Sequence, residues 1–333
     1  MRTICALALA YVLLGSFACS RGRGNVGAEG GSQLRIAVIP KGTTHEFWKS
    51  VHAGAVKASR ELGVDIVWKG PLKEDDLKGQ IDVVDSFVAQ GVSGIVLAPL
   101  SDKGLSASVR ASVKAKIPVV VFDSDLQGED HSSFVATDNV AAGRMAAEEL
   151  ARRTGDRGNV VVLRYQEGSA STAHREQGFL AAIKEHPNIH VVSENQYGGA
   201  TTESAFNASE NLLAAQKAES GGVQAIFTPN ESTTFGMLLA LRKANLAGKI
   251  HFVGFDSSDK LVRAVREGTI DALVVQNPFN IGYVAVKTMT EHLRGQPIEK
   301  RIDTGARVVT NANLNSQEVV DLIHPDLKKW LGE

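Results

Sequence analysis

LRIAVIPKGTTHEFWKSVHAGAVKASRELGVDIVW, residues 34–68, decides the fold. Leu34–Ile39 is a compact apolar run closed by Pro40, which reads as a short buried strand. Phe47, Val51, Gly54, Ala55, Ala58 and Leu62 then recur at helical spacing, and Gly63 supplies the stop. Thr43 and Glu46 stand three apart, the spacing of a capping box, so the helix is expected to open there. Val64–Trp68 follows as a second strand. A strand, a helical crossover and another strand make one turn of a parallel sheet.

Outward from this stretch the unit repeats. Gly94–Ala98 and Ile117–Phe122 read as strands, with helices over 75–90 and 104–115, and Ser133–Ala136 closes the series. A second series has strands at Val160–Tyr165, Ile189–Ser193, Ala225–Thr228, His251–Gly254 and Ala272–Gln276. Helices are expected between them over 140–153, 172–185, 202–216, 233–245 and 258–267, then a last one over 281–294 before a strand-like Arg307–Thr310. Continuous apolar strands alternating with helices predict α/β domains with parallel sheets covered on both faces. Two series predict two doubly wound units, and 333 residues are enough for both cores.

The charge balance is near zero, with 36 Lys and Arg against 37 Asp and Glu, so the basic footprint of a nucleic-acid binder is missing. The two cysteines, Cys5 and Cys19, both fall in an N-terminal segment where Arg2 precedes an apolar run from Ile4 to Leu14. That run is too short to span a bilayer but suits the core of a signal peptide. Small residues at Ser16 and Ala18 favour cleavage before Cys19, giving a signal peptide over 1–18 and leaving one cysteine, so no intramolecular disulfide can form. The ending resembles a bacterial lipoprotein signal, with Ser16 where that motif usually has Leu, which implies Cys19 as a lipid anchor. Ser20–Ser32 is Gly-rich and aperiodic, so residues 19–33 read as a flexible tether. A periplasmic or cell-surface location follows.

Open α/β sheets bind ligands beyond the carboxyl ends of their strands. Those ends here are rich in Asp, Asn, Gln and Arg with a few aromatic rings, the groups that recognise a polyhydroxylated ligand. Their order and spacing, from Phe47-Trp48 through Val119–Asp123, Thr137-Asp138-Asn139, Arg175, Asn230 and Gly254-Phe255-Asp256 to Gln276, resemble the periplasmic sugar-binding proteins of the ribose/galactose type, related to the ligand domains of lac-type repressors. The resemblance implies the type I fold: two Rossmann-like lobes joined by three hinge crossings, near 137–139, 276–278 and 302–306. One lobe would comprise 34–137 with 277–305, the other 138–276 with 306–333. It implies that Phe47 and Trp48 stack on a sugar, that Asp123 accepts its hydroxyls, and that Asn139 lies near the hinge. Arg175, Asn230, Asp256 and Gln276 would bond from the opposite lobe, with His45 as a further contact. His45 and Ser124 stand where ribose binders carry Asn and Arg, so a monosaccharide or polyol other than ribose is expected.

The implied partners are the permease subunits of an ABC transporter, with the chain itself a monomer and touching the membrane only through Cys19. A membrane sensor kinase or chemoreceptor, or a furanose-like signalling ligand, fits the same residues. No Gly-x-Ser-x-Gly elbow or Walker loop suggests catalysis, and no catalytic residue or cofactor is expected. The acidic stretch from Asp123 to Asp130 has Phe134 where a calcium loop needs its twelfth-position Glu, and no thiol lies near the histidines in the sequence, so no metal site is expected.

Overall fold

The computed structural model describes residues 33–332, and the expected signal segment and Cys19 lie outside the described residues. The first sheet contains β1 (Arg35–Ile39), β2 (Asp65–Trp68), β3 (Gly94–Leu97), β4 (Val119–Phe122), β5 (Ser133–Ala136) and β11 (Arg301–Asp303), in the order β11-β5-β4-β3-β1-β2 and all parallel. The second contains β6 (Gly158–Arg164), β7 (Ile189–Tyr197), β8 (Ala225–Phe227), β9 (His251–Phe255), β10 (Ala272–Gln276) and β12 (Ala306–Thr310), in the order β12-β10-β9-β8-β6-β7. One strand departs from the parallel expectation: β12 runs antiparallel to β10. It enters the second sheet directly from β11 in the first, with no helix between to reverse its course.

Successive strand residues face opposite cores, as the pleat requires. Ile36, Val38, Val96, Val120 and Phe122 pack with α1 (Glu46–Leu62) and α9 (Pro278–Leu293), whereas Ala37, Ile39, Ile95, Val119 and Val121 meet α2 (Leu77–Gln90) and α3 (Ser106–Lys114). The second sheet repeats the arrangement. Its Val160, Val162 and Phe227 pack with α4 (Asn139–Thr154) and α5 (Ala170–Ile183), and its Val161, Leu163 and Ile226 with α7 (Glu231–Lys243) and α8 (Asp259–Arg266). The chain passes between the sheets from β5 to α4, from β10 to α9 and from β11 to β12. This is the two-lobe α/β architecture expected.

Two local expectations are corrected. Helix α1 opens at Glu46 with His45 at its N-cap and no side-chain cap, so Thr43 and Glu46 form no capping box. The Glu46 carboxylate instead accepts the backbone N–H of Asp259 across the cleft at 3.1 Å. The C-terminal tail, expected wholly with the second lobe, is shared between the two. Helix α10 (Gln317–Ile323) seats Val319 in the second core, but α11 (Leu327–Leu331) packs on α1, where Arg60 donates to the carbonyls of Lys329 and Trp330 at 3.3 and 3.0 Å.

Helices α4 and α5 touch backbone to backbone. A Cβ added to Gly178 would lie 2.1 Å from the Val140 carbonyl oxygen, and one at Gly143 would lie 2.0 Å from that of Arg175. Glycine is required at both positions by space. Gly178→Ala is expected to force α5 away from α4 and to lower stability by about 3 kcal/mol, at the upper end of ordinary overpacking. Thermal denaturation checks it, and a melting curve like that of the wild type would show that the contact can relax.

Candidate functional site

The carboxyl ends of the strands in both sheets point into the cleft between the lobes. Each lobe places an aspartate just past its fourth strand: Asp123 after β4 and Asp256 after β9. Both hold the left-handed conformation, with φ of 61° and 65°, and both backbone amides donate at 2.9 Å to the neighbouring strand, to Val135 and Val274. Asp tolerates this conformation better than most residues. The turn aims both carboxylates into the cleft.

His45, Phe47, Trp48, Asp123, Arg175, Asn230, Asp256 and Gln276 line one cavity in that cleft. Phe47 and Trp48 meet edge to face, with centroids 4.9 Å apart. Asn230 caps α7, accepting the Thr233 N–H and leaving its side chain at the cleft edge. Asp256 does not cap α8, a role the backbone gives to Ser258. It accepts the Glu231 N–H at 3.0 Å and the Gln276 amide at 2.7 Å. Asn139 stands apart from the cavity lining: its Oδ1 accepts Arg175 Nε at 2.8 Å, so it orients the guanidinium. Arg175 Nη1 donates to the Pro229 carbonyl at 2.9 Å, and the Phe255 ring lies under the guanidinium at 4.1 Å.

Six lining residues escaped the sequence reading as site residues: Lys41, Glu74, Tyr165, Ser171, Thr172 and Glu231. Lys41 follows Pro40 at the end of β1, so the strand-end rule could have found it. Its ammonium lies 3.3 Å from Asp123 and donates to Ser171 at 3.0 Å. Glu74 sits in a run of charges, Lys73 to Asp76, that resembles a solvated loop. It is buried instead, and its carboxylate receives Trp48 Nε1 at 2.6 Å, His45 Nδ1 at 2.8 Å and the Tyr165 hydroxyl at 2.5 Å. Tyr165 closes β6 in the other lobe, so Glu74 joins the two walls of the cleft.

The electrostatics follow from burial and pairing. Burial works against the charged form of His45, but the adjacent Glu74 carboxylate overrides it and lifts the ring from 6.5 to about 9. Burial would raise Glu74, yet His45 and Lys41 pull it down to about 2. Glu231 goes the other way: burial, with Asp256 nearby, pushes it up to about 7 despite His45. With His45 protonated, both its ring nitrogens are donors. The Lys41, His45 and Arg175 cations therefore face the carboxylates of Glu74, Asp123, Glu231 and Asp256 within one cleft.

Two buried polar atoms here have no partner among the described residues: Arg175 Nη2, a donor, and Gln276 Oε1, an acceptor. An unpaired buried donor or acceptor costs about 1–3 kcal/mol, so both are places where an incoming group gains. A hydroxyl accepts and donates at once and satisfies both kinds. Among the described residues no group of three or more His, Cys, Asp or Glu is arranged to hold a metal ion, and no helix is long and apolar enough to cross a membrane.

These shifts give stability a pH dependence of definite sign. Glu231, raised from 4.5 to about 7, binds its proton more tightly folded than unfolded, so its contribution is full below 4.5 and is lost as pH rises through 7. His45, raised from 6.5 to about 9, loses its contribution as pH rises through 9. Glu74, lowered to about 2, stabilises above 4.5 and loses that only as pH falls towards 2. The melting temperature of the free protein is expected to fall between about pH 5 and pH 9, and Glu231→Gln to flatten the part below pH 7. An unaltered slope in that variant would remove Glu231 from this account.

With this geometry in place, comparison with known proteins is informative. Residues 36–297 match the profile of the periplasmic binding protein domain. The ribose import binding protein RbsB of Haemophilus influenzae is 29% identical over 285 residues, covering 86% of this chain and 94% of that protein. Among solved structures, the periplasmic component of an ABC-type sugar transport system from Hahella chejuensis is 37% identical with a TM-score of 0.79, covering 83% of this chain and 99% of the other. A carbohydrate transporter solute-binding protein from Agrobacterium radiobacter, solved in complex with D-arabinose, is 32% identical with a TM-score of 0.84, over 88% of this chain and 99% of that one. The matched span runs from β1 to the end of α9 and contains every residue that lines the cleft cavity; the chain belongs to the periplasmic binding protein family.

Proposed function

We propose that this protein captures a small sugar or polyol between its lobes and delivers it to an ABC-type membrane permease, breaking no bond in the ligand. The observation that carries the reading is the unpaired couple of Arg175 Nη2 and Gln276 Oε1 in a buried cleft that also holds Asp123, Asp256 and Asn230. Carboxylates and amides take hydroxyl hydrogens, the guanidinium gives hydrogens to ring or hydroxyl oxygens, and Phe47 and Trp48 cover C–H faces. The relatives that import ribose or bind arabinose are consistent with a ligand of this chemistry.

Bonds between the lobes supply a mechanism for enclosure. Phe47 N–H donates to Glu231, Ser171 N–H to Ser124, and the Gln166 side chain to the Glu74 carbonyl, at 3.3, 3.1 and 2.9 Å. These contacts form only when the lobes meet, so a ligand that bridges them shifts the balance towards closure. The permease then meets a closed, loaded shape. In this reading the chain is exported, its mature N-terminus is Cys19, and the lipid on that cysteine holds it at the outer face of the membrane through the 19–33 tether.

A thermal-shift screen of pentoses, hexoses and polyols against the purified protein is expected to single out a ligand that raises the melting temperature, with mass spectrometry recovering it unchanged. Asp123→Asn keeps the shape and tolerates the left-handed turn but removes the charge. It should weaken binding about 10- to 100-fold by titration calorimetry, the range for one charge-assisted hydrogen bond. If no sugar or polyol stabilises the protein, the reading fails. The anchor is tested separately: in a bacterial host, Cys19→Ser should move the protein from the membrane fraction to the soluble one. A wild-type protein that is already soluble would remove the lipid from the account.

A further inference from the structure

The atoms of the cleft cavity leave only about 30 Å³ between them, so a sugar ring enters only as they part. Beside it lies a roomier chamber of about 370 Å³, within the roughly 300–1,000 Å³ typical of small-molecule sites. The two spaces share three residues as a partition: Phe47, Asp256 and Gln276. Beyond it the chamber is bounded by Ser50 on α1, Ser258 before α8, Pro278 at the hinge, and Leu322 and Leu327 from the tail.

Its chemistry is mixed in a specific way. Pro278 at the hinge and Leu322, Ile323 and Leu327 of the tail contribute apolar carbon, Ser50, Ser257 and Ser258 contribute hydroxyls, and Glu46, Lys49, Asp259 and His324 add charged or titratable groups to the lining. Ser258 is 5% exposed, and its Oγ is buried without a partner. Gln276 Oε1, on the partition, is unpartnered as well. No described residue satisfies these atoms, and a lining that combines C–H surface, hydroxyls and charged side chains offers the groups that recognise a second sugar ring.

We propose that the chamber is a subsite for a second unit of the ligand, so that the protein's preferred ligand is an O-linked glycoside or disaccharide. This rests on the sugar reading above and narrows it. A ring held by Asp256 and Gln276 turns the oxygens of one edge towards the partition. A substituent on one of those oxygens extends past Phe47 into the chamber, where Ser258 Oγ gains a partner and Leu322, Leu327 and Pro278 cover its carbon face. The tail has a direct part in recognition, because it supplies much of the apolar wall.

Titration calorimetry with matched sets tests the proposal, each set holding a free monosaccharide, its methyl glycosides and disaccharides that contain it. The proteins are the wild type and two chamber-filling variants from opposite walls, Ser50→Trp and Ser258→Trp, each checked by melting temperature so that one misfolded variant does not decide the matter. A glycoside or disaccharide is expected to bind about tenfold or more tightly than its parent monosaccharide. Either filler should erase that advantage while leaving the parent within about twofold. A monosaccharide that binds as tightly as all its glycosides, or fillers that weaken both forms alike, would overturn the subsite and leave the sugar reading intact. If neither free nor substituted sugars bind, the sugar reading itself has failed and the subsite falls with it.

Discussion

Two lobes can close over buried carboxylates only if each negative charge finds a partner as water leaves. The cleft brings four together, and an unpaired one would cost several kcal/mol. Glu74 is the best compensated: an indole N–H, an imidazolium and a phenol converge on its two oxygens, two of them from its own lobe and one from the other. Lys41 neutralises Asp123 and reaches Ser171 across the gap. Arg175, bonded to Asn139 and Pro229 and lying over the Phe255 ring, is held in place but keeps its Nη2 in reserve. The cleft is thus compensated well enough to shut and incompletely enough to reward a ligand.

The two halves of the site follow one plan. Asp123 and Asp256 leave the fourth strand of their respective sheets through the same left-handed turn and the same amide bond to the next strand. Such a conformation costs a non-glycine residue about 1–3 kcal/mol and persists where the surroundings over-determine it. Helix pairs repeat the pattern: Gly143 and Gly178 join α4 to α5 as Gly54 and Gly282 join α1 to α9, each against a carbonyl of its partner. Because the Gly143 contact is to the Arg175 carbonyl itself, helix packing and guanidinium position are fixed together.

Much of this was legible because it depends on local pattern. Apolar strands such as Val119–Phe122 have no ambiguity of face when both faces are buried, and Asp123 stands out at the end of such a run. Lys41, Glu74 and Glu231 were not read as site residues, because a charged residue signals burial only through partners distant in sequence: Tyr165 lies 91 positions from Glu74. The pattern at Thr43 and Glu46 gave a plausible cap, yet a backbone donor in the other lobe took the carboxylate. The direction of β12 and the division of the tail were hidden for the same reason, since short amphipathic segments carry no mark of the surface that receives them.

That division of the tail bears on release. Three crossings let a pair of lobes swing by rotating a few backbone torsions, but this chain adds a leash. From Ile323 on one lobe to Leu327 on the other only three residues intervene, each able to span at most about 3.5 Å. A wide swing exhausts that slack and then has to peel α11 from Arg60 and from the Phe279 ring beside Trp330. The residence time of the cargo is therefore set partly by a helix that lies outside the cleft cavity, and the gape available to an incoming ligand is limited by the same short piece of chain.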